Sequence, residues 1–147
     1  MRVKLLKIFI IAVVLNYAWE IAQSPLYSSG KGALSRQSVW WHCLPASIGD
    51  GVLVLIIFGI GCLVLKRPNW DERPGRSGYL MMAVAGVLTA ASLEWLALRV
   101  GEWWSYGPQM PVVPGLGIGV TPLAQMVVLP PLAFRLAAGK PHLQKKI

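Results

Sequence analysis

The chain has 147 residues, of which 55% are apolar and 14% charged, a balance that fits an integral membrane protein and not a soluble domain. The net charge of +8 would suit a nucleic-acid binder, but the cations gather at the ends of apolar runs, where they act as topology signals. Nucleic acid is therefore excluded as a partner, and one membrane domain over residues 1–147 is expected.

Four apolar runs approach the roughly 20 residues that a helix needs to cross hydrocarbon. Helices are the expected form, because an open sheet would leave backbone groups unpaired in lipid. The first span runs from about Leu5 to Gln23. Its basic start and apolar core resemble a leader peptide, yet Asn16 and Glu20 fall where a small-residue cleavage site belongs, so an uncleaved helix is expected. Asn16, Glu20 and Gln23 are spaced by four and three residues and share one face. Amides in that position often join membrane helices, whereas a carboxylate in hydrocarbon is costly and marks a functional site.

Trp40 and Trp41 stand at the entrance of the second span, about Leu44 to Leu65. Pro45 suits the first turn of a helix, where its missing donor costs nothing. His42 then lies at the mouth and Asp50 roughly 12 Å deeper. Gly49 and Gly51 permit close helix approach beside that carboxylate. Cys43 and Cys62 lie near 28 Å apart along one helix and cannot form an intramolecular bridge. The connector from Lys66 to Ser77, with charged clusters flanked by proline, reads as a solvated turn.

The third span, about Gly78 to Val100, presents Gly86, Ala90 and Ala91 as a small-residue packing surface and carries Glu94 one to two turns below its outer end. Arg99 and Glu102 read as interfacial. The fourth span, about Leu116 to Ala138, begins with glycines at 115, 117 and 119, which fit a broken or re-entrant entry; Gln125 follows one turn inside, and Pro130 and Pro131 should kink the helix. The outer loops, Ser24 to Val39 and Gly101 to Gly115, are rich in Gly, Pro, Ser and aromatics and could fold over the bundle as a lid.

Eleven Lys and Arg residues flank one side of the four spans against Lys31, Arg36 and Arg99 on the other, which puts both termini in the cytoplasm of a bacterial cell and the protein in its inner membrane. On that topology Glu20, His42, Asp50 and Glu94 all lie toward the outer face. Trp41, Trp95, Trp104 and Tyr106 fall on the same side, and with Asn16, Gln23 and Gln125 they are the candidate binding residues. An interfacial belt is the default account of such aromatics, while a pocket for a hydrophobic ligand is the functional one. His42, Asp50, Glu20 and Glu94 are suitable metal-ligand types, but no spacing here matches a metal signature, so neither metal nor cofactor is expected.

The segments Asn16-Tyr17-Ala18-Trp19-Glu20, His42 to Asp50, and Glu94 through Pro122 with Gly101, Trp104, Tyr106 and Met110-Pro111 resemble a group of small uncharacterised bacterial inner-membrane proteins. More distantly, the order Glu, Gly, Tyr, Pro is similar to carotenoid-synthesis and lycopene-cyclase-type membrane proteins, although the paired adjacent glutamates of the cyclase pattern are lacking. That likeness implies proton chemistry by membrane carboxylates on a polyene. The residues alone leave two classes of function open. One is binding of, or acid–base chemistry of the isomerase, cyclase or hydratase type on, an isoprenoid or lipid, with Glu94 as acid, Asp50 and Glu20 as partners and His42 as relay. The other is a proton- or ion-coupled transport component, or a non-catalytic subunit of a membrane complex; a homo-oligomer is compatible with either. The apolar inner halves of the first two spans favour a one-sided pocket over a channel.

Overall fold

The computed structural model describes residues 1–28 and 36–139, with the backbone alone at 36–38. Its framework is four helices: α1 (Arg2–Gln23), α2 (Arg36–Leu65), α3 (Gly75–Leu96) and α4 (Val120–Ala138). All four are long and apolar enough to cross a membrane. They pack as a ring in which α1 lies against α2 and α4, and α3 against α2 and α4. Both described ends lie at one end of the ring, since Gly139 approaches the Lys7 ammonium and Lys4 bonds the α2–α3 connector.

Each helix carries an inward stripe at three- and four-residue spacing that is apolar at this end and polar at the other. In α1 the stripe runs Ile8, Ala12, Asn16, Gln23, all buried. In α2 buried Val54, Ile57 and Phe58 are followed, toward the helix start, by partly buried Asp50 and buried Ser47. In α3 Met82 and Ala85 give way to Ala90 and Glu94, and in α4 Phe134 and Ala133 are succeeded by Gln125. The apolar ends form the core, and the polar ends meet at one level.

Three expectations are corrected. Pro45 lies inside α2 and not in its first turn, because the helix begins at Arg36; the segment before Leu44 is polar but still helical. The Lys66–Ser77 connector is not simply a solvated turn. It forms a 3-10 turn at Trp70–Glu72 in which Trp70 and Asp71 are buried. Trp70 enters the core between Phe58 and Phe134, with ring centroids 6.2 and 5.4 Å away, and its indole N–H donates to the Phe58 carbonyl at 3.0 Å. Gly61 makes the space, because a Cβ there would lie 2.2 Å from the indole. Third, the glycines before α4 do not break a helix. They lie in an irregular loop with positive φ at Gly115 and Gly117, and α4 starts cleanly at Val120.

The connections at the polar end of the bundle also have structure. After α1 the chain makes a 3-10 turn (Ser24–Leu26) and enters β1 (Tyr27–Ser28), which pairs antiparallel with β2 (Ser105–Tyr106), Tyr27 opposite Tyr106. A π-helical turn at Ala97–Gly101 and a left-handed Glu102 reverse the chain after α3 and deliver β2. Residues 29–35 of the expected lid, Lys31 among them, lie outside the described residues, as do Lys140, Lys145 and Lys146.

Candidate functional site

Gln125 of α4 is the hub of the polar level. It is 2% exposed, and its amide nitrogen lies 2.8 Å from Asn16 Oδ1, 3.0 Å from Glu20 Oε1 and 2.9 Å from Asp50 Oδ2. Its amide oxygen accepts from Gln23 Nε2 at 3.0 Å, and the same Gln23 nitrogen donates to Glu20 Oε1 at 2.9 Å. Gln23 is oriented in turn by the Trp19 indole, which donates to Gln23 Oε1 at 3.1 Å. The remaining amide, Asn16 Nδ2, turns back to the Ala12 carbonyl at 2.8 Å. The donors therefore run in one direction, from Trp19 through Gln23 and Gln125 toward the carboxyls of Glu20 and Asp50.

An amide nitrogen carries two hydrogens and here faces three acceptors. Glu20 Oε1 and Asp50 Oδ2 meet on that one nitrogen, which sets the two carboxyls side by side. Two carboxyl groups so placed can share one proton between α1 and α2.

Glu94 sits in a second group. Its Oε2 accepts from the Tyr106 hydroxyl, in a short bond, and from the Trp104 indole at 3.4 Å. The Gly119 amide donates to the Tyr106 oxygen at 2.8 Å, which commits the phenolic hydrogen to Glu94. Tyr27 packs on both partners, 5.7 Å from Tyr106 and 6.4 Å from Trp104 between centroids. Burial, reinforced by its bond to Glu94, raises the Tyr106 phenol above its ordinary range. Burial and the nearby carboxylate of Glu94 do the same to Tyr27. Both rings therefore stay protonated, and Tyr106 stays a donor. Glu94 is close enough to the Glu20–Asp50 pair to interact with both electrostatically.

The structure thus gathers Asn16, Glu20, Gln23, Asp50 and Gln125 in one network and Glu94, Trp104 and Tyr106 in a neighbouring one. His42 is exposed on α2; eight residues before Asp50, it points about 80° away around the helix and lies roughly 12 Å along it. Trp41 and Trp95 are exposed on the bundle surface, at 70% and 55%. Trp19, Tyr27 and Gly119 belong to the site but are not among the binding residues expected from the sequence. Trp19 could have been, because it lies one turn before Gln23 on α1. Tyr27 and Gly119 come from loops and carry no periodic signal. Among the described residues, no three His, Cys, Asp or Glu side chains cluster closely enough to hold a metal ion. No family model, curated protein or solved structure matches the chain.

Proposed function

We propose that the chain is a multi-pass protein of a bacterial inner membrane, termini cytoplasmic, whose outer polar level binds an isoprenoid or lipid and carries out acid–base chemistry on it. The observation that carries this reading is the arrival of Glu20, Asp50 and Glu94 from three helices at one level, Glu20 and Asp50 bonded by Gln125 of the fourth and Glu94 by Tyr106. Buried ionisable groups in a membrane bundle are too costly to serve only as adhesive. The orientation rests on the excess of Lys and Arg at the end holding the termini and the α2–α3 connector. The distant likeness to carotenoid-synthesis proteins points to the same substrate class.

The pairing of Glu20 with Asp50 favours the reverse of the expected division of roles. Glu20 and Asp50, side by side on one amide nitrogen, favour sharing a proton and suit the acid, whereas Glu94 stands apart with Tyr106 and Trp104 as donors and suits the carboxylate. Transfer of that proton to an alkene carbon breaks the π bond, forms a C–H bond and leaves a carbocation. The Glu94 carboxylate lies near enough to stabilise that cation and to take a proton from the adjoining carbon, which restores an alkene in a shifted or cyclised product. Tyr106 and Trp104 are then positioning residues. A transmembrane relay is less well supported, because Ile8, Val54, Ile57, Trp70, Met82 and Phe134 fill the inner half of the bundle.

The test is purification of the full chain with native lipids, mass spectrometry of what co-purifies, and turnover of that compound by the wild type, Glu20→Gln, Asp50→Asn and Glu94→Gln. Loss of the acid or the base should lower turnover by about a hundredfold or more. Equal lipid profiles and equal turnover in all four proteins would overturn the reading, and proton flux in liposomes abolished by the same substitutions would replace it with transport.

A further inference from the structure

A second feature lies at the opposite end of the molecule and owes nothing to the carboxyl site. Between α2 and α3 an open groove of about 520 Å³ is walled by Ile60, Val64, Leu80, Val84 and Leu88, and it starts beside Leu65 and Ser77. All five of those walls are exposed. From Ser77 to Thr89 the groove is roughly 18 Å long at 1.5 Å per residue. That is close to one leaflet of hydrocarbon, about 15 Å.

The groove ends among charges of one sign. Lys66 and Arg67 follow Leu65, and Arg73 and Arg76 precede Ser77; all four are exposed. Two acids share the same connector, but both are engaged elsewhere: Lys4 of α1 holds Asp71 at 2.8 Å and Glu72 at 3.0 Å. Among the described residues, none of the four cations forms an ion pair with a carboxylate. Lys4 thus leaves a cationic rim at the mouth of an apolar groove of leaflet length.

We infer that this groove binds an anionic phospholipid, with an acyl chain between α2 and α3 and its phosphate at Lys66, Arg67, Arg73 and Arg76. Basic pockets between membrane helices bind anionic head groups in this way. The walls suit a chain of methylenes better than another helix. Helices associate in membranes over small residues; Gly86 and Ala90 of α3 are buried within the bundle, Gly86 directly on α4, whereas the groove's exposed walls are branched aliphatic side chains.

The experiment uses the full chain in nanodiscs of equal phosphatidylglycerol and phosphatidylcholine, extracted gently and read by native mass spectrometry for retained lipid. The wild type should retain phosphatidylglycerol in preference, and Lys66→Gln or Arg76→Gln should each lower the preference about fivefold. Val84→Trp, which fills the groove from its lipid-facing side, should remove the retained lipid altogether. Arg2→Gln and Lys7→Gln, which remove exposed charge outside the groove, should leave the preference unchanged. Equal retention of both lipids by the wild type, retention persisting in Val84→Trp, or an equal fall in the Arg2 and Lys7 variants would each overturn the proposal.

Discussion

Tyr106 joins two elements through one hydroxyl: it accepts from Gly119 of the α4 approach and donates to Glu94 of α3. Removing it leaves a buried carboxylate and a backbone N–H each short of a partner, at a cost of about 1–3 kcal/mol. Tyr106→Phe should therefore unfold more readily in mixed micelles at neutral pH. The titration gives a second, independent sign. The folded phenol lies above its ordinary value of 10.0, so the native state retains a proton that the unfolded chain loses. Its stabilising contribution is complete below about pH 10 and declines as pH climbs beyond it. Stability measured from pH 9 to 11 should fall less steeply in Tyr106→Phe than in the wild type, and identical slopes would show that burial and the Glu94 bond do not hold the phenol protonated. At this scale much of the site was legible. Asn16, Glu20 and Gln23 share a face by spacing alone, and Asp50 and Glu94 are conspicuous in apolar surroundings. The hub role of Gln125 was not, because it depends on the relative depth of four helices. Nor was the exposure of Trp95, which follows from its place 100° around α3 from Glu94.

Between elements, the α3–α4 contact turns on a glycine meeting a proline-freed carbonyl. Pro130 has no N–H to return to the carbonyl of Met126 one turn earlier, and Gly86 of α3 lies directly on that oxygen: a Cβ at Gly86 would stand 2.1 Å from it. The approach permits a Cα–H···O contact of the kind that recurs where helices pack closely. Gly86→Ala should force the helices apart and cost about 1–3 kcal/mol. Gly59, also mid-helix, has nothing within 4 Å of a Cβ position, so Gly59→Ala should gain about 0.4–1 kcal/mol from reduced freedom of the unfolded chain. Opposite signs in a thermal unfolding assay are the expected outcome, and two changes of the same sign would refute the contact. The sequence exposes the small-residue face of Gly86 and Ala90 but not the helix that covers it, since composition identifies a surface and not its partner. Pro45 misled for a related reason: proline is favoured in a first turn, yet a membrane helix tolerates one inside.

For the molecule as a whole, hydropathy alone reveals four spans because a bilayer imposes a length, and the alternation of sides then follows from the chain's connectivity. What hydropathy misses is how the inner end is closed. The connector between α2 and α3 is polar on average, so Trp70 and Asp71 read as surface residues although both are buried. One reason Asp71 can be buried is Lys4, which comes from the start of α1 and pins the connector across the end of the bundle. The Asp71 side chain is wholly buried and that of Glu72 is half exposed, so the two bonds should differ greatly in value. A solvent-screened pair contributes about 0–1 kcal/mol, whereas breaking a buried pair strands a charge at about 3–5 kcal/mol. Lys4→Met should therefore destabilise strongly and Glu72→Gln hardly at all. Adding Asp71→Leu to Lys4→Met removes the stranded carboxylate and should recover most of the loss, since an apolar pair can replace a buried ionic one without penalty. Chemical denaturation of the four proteins in micelles decides it. A double variant no more stable than Lys4→Met would mean that the clasp acts through the geometry of the connector, with Trp70 losing its place in the core, and not through the buried charge.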